Sequence, residues 1–354
     1  MGKCIDCIKN NYDCDYKFKD KRMLLISFGT RPEYIKIKPL LPLLEKEGIA
    51  YKLLHIGQHT DLIQVTDPHD IMELYDISSN RLDNIALNVV DQAENWLKDV
   101  RAVLVQGDTT AAFSMALAAF NRKIKIIHLE AGLRTWNLDN PYPEEFNRRA
   151  ISLMASIHLC PTQQNANNLV QEGIRSSKYV TGNTGLDSID TAPLPETSTV
   201  LVTMHRRENL DLTNDWFGEL NKIAKSNPNL TFIVCKHPNP RISYKNLTNN
   251  NIKLIAPLDR DSLITKIKES KLIISDSGGI QEEACYLHKK IIICRKVTER
   301  QEAQWLNATM CKNPDYLSTA FYKILNKQLT DYICPFGDGK ASEKIAQILK
   351  KELQ

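Results

Sequence analysis

Val103-Leu104-Val105-Gln106-Gly107-Asp108-Thr109-Thr110 and, one helix-length later, Ile124-Lys125-Ile126-Ile127-His128-Leu129-Glu130-Ala131-Gly132 decide how this chain folds. Both are short apolar runs that end in a carboxylate and a glycine. Apolar runs of this kind, alternating with helical stretches such as 109–120, imply parallel strands covered on both faces. A third acidic segment follows in Pro143-Glu144-Glu145-Phe146-Asn147-Arg148. Asp108, Glu130 and Glu144 are therefore predicted together at the end of one sheet, in the crevice where open α/β sheets bind ligands.

The same rhythm extends outward in both directions. Upstream lie an apolar strand at Met23–Phe28, a helix-like stretch over 33–47, a strand at Tyr51–Ile56 and then an irregular region; downstream, a helix is predicted over 144–155. Asp190-Thr191-Ala192-Pro193-Leu194-Pro195 breaks the pattern as an interdomain linker would. Beyond it, strands at Thr199–Thr203, Thr231–Cys235, Ile252–Ile255, Leu272–Ser275 and 291–294 alternate with helices at 216–225 and 279–287. The reading is an α/β chain of two Rossmann-like, doubly wound domains, 22–190 and 191–340, with a ligand cleft between them. A closing helix in 341–354 packs through Ile345, Ile348 and Leu349, and residues 1–21 form a cysteine-bearing extension.

Composition narrows the function classes. With 354 residues and 42% hydrophobic content the chain can bury full cores, and its net charge of +4 is too small and too dispersed for a nucleic-acid partner. No run approaches the roughly 18 apolar residues of a membrane span, and no apolar leader follows the N-terminus, so a cytoplasmic setting with reduced thiols is expected for the nine cysteines. Cys4, Cys7 and Cys14 offer one Cys-x-x-Cys pair, but a structural zinc wants four ligands and no second pair follows, so no metal site is expected.

Three further segments carry chemistry. Gly29-Thr30-Arg31-Pro32-Glu33-Tyr34-Ile35-Lys36 turns from strand to helix, and Arg31, Lys36 and the exposed N–H groups suggest an anion pocket; Arg31 equally suits a surface ion pair. Ser275-Asp276-Ser277-Gly278-Gly279-Ile280-Gln281-Glu282-Glu283 opens a helix with two glycines, where a diphosphate fits and Glu283 can reach sugar hydroxyls. A tight turn with a capping serine is the plainer alternative. Met204-His205-Arg206-Arg207-Glu208-Asn209 places an imidazole that titrates near neutrality beside two arginines, with His237 at the next strand end. For the carboxylates, the structural alternative is that Asp108 caps its helix and that Glu130 or Glu144 pairs with Arg134 or Arg148. Crowded together in a cleft, they instead raise one another's pKa, so that one holds a proton while another acts as base.

These blocks, in this order, resemble the non-hydrolysing UDP-N-acetylglucosamine 2-epimerases from about Leu24 to the C-terminus. The resemblance implies a glycosyltransferase-B architecture, a homodimer, a UDP-sugar substrate, and a reaction needing neither metal nor nicotinamide. UDP is eliminated to a 2-acetamidoglucal and added back after C2 is reprotonated on the opposite face. It assigns Asp108, Glu130 and Glu144 to acid–base work and makes His205 the catalytic histidine near the diphosphate. Arg31, Lys36 and Arg300 become substrate-binding, Ser277, Gly278 and Gly279 a phosphate loop, and Glu283 a ribose ligand; His237 joins the substrate-binding set on its place at a strand end alone.

The sequence also departs from that family. Gln301 replaces a proline after Arg300. Gln58-His59 matches the segment that contacts an activating second substrate molecule, but Thr60-Asp61-Leu62 and the short 78–88 stretch do not follow the pattern, so activation by substrate is not expected. Rival readings are the same inversion on another UDP-2-acetamido sugar, a hydrolysing epimerase, a glycosyltransferase, and a non-catalytic nucleotide-sugar module. The last two leave three carboxylates beside His205 unexplained.

Overall fold

A computed structural model describes residues 23–57, 65–237 and 239–353. Seven parallel strands, β1 Met23–Phe28, β2 Tyr51–Ile56, β3 Asp70–Met72, β4 Val100–Gln106, β5 Lys125–Leu129, β6 Ile157–Cys160 and β7 Ser177–Val180, make one sheet in the order β3-β2-β1-β4-β5-β6-β7. The second sheet holds β8 Thr199–Thr203, β9 Thr231–Cys235, β10 Ile252–Ile255, β11 Leu272–Ser275, β12 Ile291–Ile293 and β13 Ala308–Met310, in the order β10-β9-β8-β11-β12-β13. Every pairing is parallel, with Ser27 beside Val105 and Ser275 beside Thr203 at the strand ends. Such strands are sealed on both faces: in β4, Ala102, Val103, Leu104 and Val105 are all buried.

Strand order reverses at β1 and at β8, each lying between its successor in sequence and a strand that arrives by crossover. Loops leave such a point in opposite directions and open a crevice at the carboxyl ends. The turns after β1, β4 and β5 in one sheet, and after β8 and β11 in the other, carry the candidate residues.

The chain end returns to the first sheet. Helix Ala341–Glu352 buries Ile345, Ala346 and Leu349 against Leu24, Ile26 and Phe28 of β1. Asp190 to Pro195 forms an exposed link without helix or strand. The single helix expected over 33–47 is three pieces, Arg31–Ile37, Lys38–Leu40 and Leu41–Lys46, with Pro39 and Pro42 each in the first turn of a new piece. The irregular region contains an unforeseen helix, Arg81–Leu97, started by Asn80, whose side chain accepts from the N–H groups of Leu82 and Asp83.

Cys160, Cys235, Cys285, Cys294, Cys311 and Cys334 carry free thiols; Cys4, Cys7, Cys14 and the Gln58-His59 segment lie outside the described residues. Among the described residues no helix is long and apolar enough to cross a membrane, and no group of three or more His, Cys, Asp or Glu side chains is placed to hold a metal ion.

Candidate active site

The turn after β4 depends on Gly107. It sits at φ +68°, its N–H donates to the Leu129 carbonyl at 2.9 Å, and its own carbonyl meets His128 Nε2 at 2.7 Å. Asp108 follows, ion-paired to Arg148, and its carbonyl accepts from Asn147 Nδ2 at 2.9 Å. The next residue, Thr109, caps the helix through Oγ1 and the Ala112 N–H, which corrects the expectation that Asp108 would. Arg148 is itself held at 3.1 Å by buried Glu145, which also accepts the N–H groups of Thr135 and Trp136.

Glu130 is a non-glycine residue at φ +66°, a left-handed conformation that costs on the order of 1 kcal/mol and persists only under strong constraint. The constraint is visible. Its oxygens accept from Lys36 Nζ at 2.5 Å, Gln106 Nε2 at 2.6 Å, Asn183 Nδ2 at 3.0 Å and Arg300 Nη2 at 3.3 Å. Burial acts to raise its pKa, but the charges of Lys36 and Arg300 with these hydrogen bonds bring it down to about 2. Glu144 has the opposite surroundings. Burial, then the negative charge of Asp108, raise its pKa, and its Oε2 is buried with no hydrogen-bond partner among the described residues. The pairing considered for Glu130 or Glu144 with Arg134 or Arg148 does not form: Arg134 binds Glu172 at 2.6 Å, and Arg148 binds Asp108 and Glu145.

Between the sheets lies a cavity of about 310 Å³, within the size range of small-molecule sites. One wall is Pro32, Ile35, Lys36, Gly185 and Leu186; the other includes Thr203, His205, His237, Arg260, Ser277, Gly279, Glu282 and Glu283. His205 follows β8, where Asp276 accepts its N–H and that of Arg206 at 3.0–3.1 Å. Burial lowers the His205 pKa more than the Asp276 carboxylate raises it, which favours the neutral imidazole. It stacks on His237, with ring centroids 5.6 Å apart.

Ser277 opens the helix Gly278–Tyr286 without a side-chain cap, so the first-turn N–H groups remain open to another acceptor. The two glycines differ. A Cβ on Gly278 would stand 2.5 Å from Arg300 Nη1, whereas one on Gly279 would meet nothing within 4 Å. Gly278 thus makes room for an arginine, not only a phosphate as its sequence suggested. Glu283 is buried and ion-paired to Arg260 at 3.0 Å. The anion pocket expected after β1 is also revised: the Gly29 N–H and Thr30 hydroxyl both donate to Glu33 Oε2, Lys36 is bound by Glu130, and Arg31 is exposed with no ion pair among the described residues.

Of the residues singled out from sequence, Lys36, His205, His237, Ser277, Gly279 and Glu283 line the cavity. Asp108, Glu130 and Glu144 form the adjoining acid cluster, joined to the cavity through Lys36 and through Arg300, which binds Glu130, Glu282 and Glu299. Asn183, Arg260 and Glu282 were not identified as site residues by sequence. The carboxylates that Asn183 and Arg260 bind lie 23 to 99 positions away, so nothing local in the sequence signals those contacts.

Fold and site together define a two-lobed α/β enzyme of the glycosyltransferase-B type, built around a cleft between its two sheets. Residues 43–350 match the UDP-N-acetylglucosamine 2-epimerase family, and the chain belongs to that family. It is 37% identical to the Campylobacter jejuni UDP-N-acetylglucosamine 2-epimerase over 93% of this chain and 98% of that one. The Neisseria meningitidis UDP-GlcNAc 2-epimerase, solved bound to UDP-GlcNAc, superposes with a TM-score of 0.82 at 31% identity, covering 93% of this chain and all of that one. Acinetobacter baumannii MurG, at 14% identity and a TM-score of 0.61, shares the fold alone over 93% of this chain and 99% of its own.

Proposed function

We propose that this chain interconverts UDP-N-acetylglucosamine and UDP-N-acetylmannosamine by eliminating and re-adding UDP. The observation that carries the reading is the contact between cavity and acid cluster: Lys36 and Glu282 face the cavity while binding Glu130 and Arg300. A diphosphate at the uncapped helix start and His205 therefore leaves its hexose beside the carboxylates. A carboxylate takes the C2 proton, the C2–H electrons become the C1=C2 double bond, and the C1–O pair leaves on the β-phosphate. A proton then returns to the opposite face of C2 and UDP adds back at C1.

Glu144 suits proton transfer, since burial and Asp108 keep its affinity for a proton high. Asp108, fixed by Arg148, is the second carboxylate. Glu130, held as an anion, orients Lys36 and Arg300 and does not carry the proton. Neutral His205 donates a hydrogen bond to the departing phosphate. The reading includes a homodimer, supported by apolar side chains that stand in solvent on successive helices: Leu87, Phe120, Phe146 and Leu153. Light scattering is expected to give twice the chain mass of 40.3 kDa.

The test is incubation with UDP-N-acetylglucosamine in deuterated buffer, followed by proton resonance. UDP-N-acetylmannosamine carrying deuterium at C2 supports the proposal. Free N-acetylmannosamine points to the hydrolysing reaction, and an unchanged, unlabelled sugar overturns the epimerase reading.

A further inference from the structure

We propose that Asn183 is a positioning residue for this reaction, its side-chain amide tying Glu130 of the first lobe to Glu282 of the second so that the acid cluster is held against the cavity wall. The proposal deepens the epimerase reading and rests on it. Asn183 is buried, at 3% exposure, in the segment that leaves β7 for the second lobe. Its Nδ2 donates to Glu130 Oε1 at 3.0 Å and to Glu282 Oε2 at 2.6 Å, while its Oδ1 accepts the Gly185 N–H at 2.8 Å. Only this amide orientation satisfies all three partners; the flipped one sets an oxygen against two carboxylates. The backbone N–H of Asn183 is anchored as well, at 2.7 Å from the Phe336 carbonyl.

Arg300 closes a ring, binding Glu282 through Nε and Glu130 through Nη2. The groups that interact electrostatically with Glu282 are Arg300, Lys36, Glu130 and the Cys285 and Cys334 thiols, beside the Asn183 amide. Two carboxylates so close repel each other. A neutral amide offering both of its hydrogens bridges them without adding charge, which no acid and no single-donor hydroxyl can do. Asn183 is absent from the cavity wall, so its effect on substrate runs through the two glutamates.

The test compares kcat and KM for UDP-N-acetylglucosamine across pH in the wild type, Asn183→Ala, Asn183→Asp, Glu282→Gln and the double variant N183D/E282Q. Wild-type turnover reports on the epimerase reading; the ratios among variants report on this one. Losing hydrogen bonds to buried charged groups is expected to lower kcat about 10- to 100-fold in Asn183→Ala at every pH, with KM within about threefold. Asn183→Asp is expected to lose as much near neutral pH and to recover in part as pH falls, where uptake of a proton removes one of three crowded charges and restores one of the two hydrogen bonds. In N183D/E282Q the new amide can donate to the new carboxylate while its oxygen accepts from Arg300, so kcat at neutral pH should rise about tenfold over N183D. A pH-independent defect in N183D, a double variant no better than N183D, or near-wild-type kcat in Asn183→Ala would each overturn the proposal.

Discussion

Glu144 and Glu130 share a cluster and a side-chain type, yet their neighbours give them different work. One is desolvated beside another acid; the other is ringed by Lys36, Arg300, Gln106 and Asn183. Glu144→Gln is expected to lower kcat by about 10²- to 10⁴-fold, the usual worth of general acid–base catalysis, with KM nearly unchanged. Steady-state kinetics checks this, and a variant of full activity would remove Glu144 from the mechanism. Glu33 makes a second residue-scale prediction. Burial pushes its carboxyl from 4.5 up to about 7, although Thr30, Thr109 and Gly29 all donate to it. A pKa raised on folding means that the native state binds the extra proton, so the stability this group contributes is full below about pH 4.5 and is lost as pH rises through about 7. Between about pH 5 and pH 8, wild type should lose on the order of 3 kcal/mol relative to Glu33→Gln in denaturant titrations. Parallel stability profiles would contradict the shift.

Helix Gly278–Tyr286 concentrates the element-scale argument in two adjacent glycines. Gly278→Ala would drive a methyl into a guanidinium already bound to three carboxylates. It is expected to lower both melting temperature and kcat, the latter at least about tenfold. Gly279→Ala meets no protein atom, so melting should be unchanged while KM for the nucleotide sugar rises. Equal effects in the two variants would contradict the division of labour. This contrast was not legible in the sequence, where both glycines read as phosphate-facing, because Arg300 arrives from a loop after β12. The central strands were legible, since burial on both faces writes them as unbroken apolar runs. Edge strand β3 was not: Asp70 and Ile71 are exposed and only Met72 is buried. Helix Arg81–Leu97 carried a readable signal, Asn80 followed by Ile85, Val89, Ala93 and Leu97 at four-residue spacing, which polar neighbours obscured.

At the scale of the whole molecule, the chain passes twice between its sheets, once after β7 and once before helix Ala341–Glu352. The final helix is therefore part of the first lobe's core. Leu349→Ala, at a fully buried position, is expected to cost about 2–5 kcal/mol of stability, read from denaturant unfolding. A change under about 0.5 kcal/mol would mean that the helix is dispensable. Two lobes with reversed strand order and a cleft between them followed from the spacing of apolar runs. The acid cluster followed from carboxylates at strand ends. What joins cluster to cleft did not, because Lys36, Asn183 and Arg300 lie 94, 53 and 170 positions from Glu130 and meet it only in the folded chain.

The account's central claim is that the second lobe holds a diphosphate while its hexose lies against the acid cluster of the first. A crystal structure of Glu144→Gln with UDP-N-acetylglucosamine tests it most directly. The account predicts the diphosphate at Ser277 to Gly279 and sugar C2 within about 3–3.5 Å of the side chain at position 144. A hexose turned away from Asp108 and position 144, with the nucleotide bound as predicted, would contradict it.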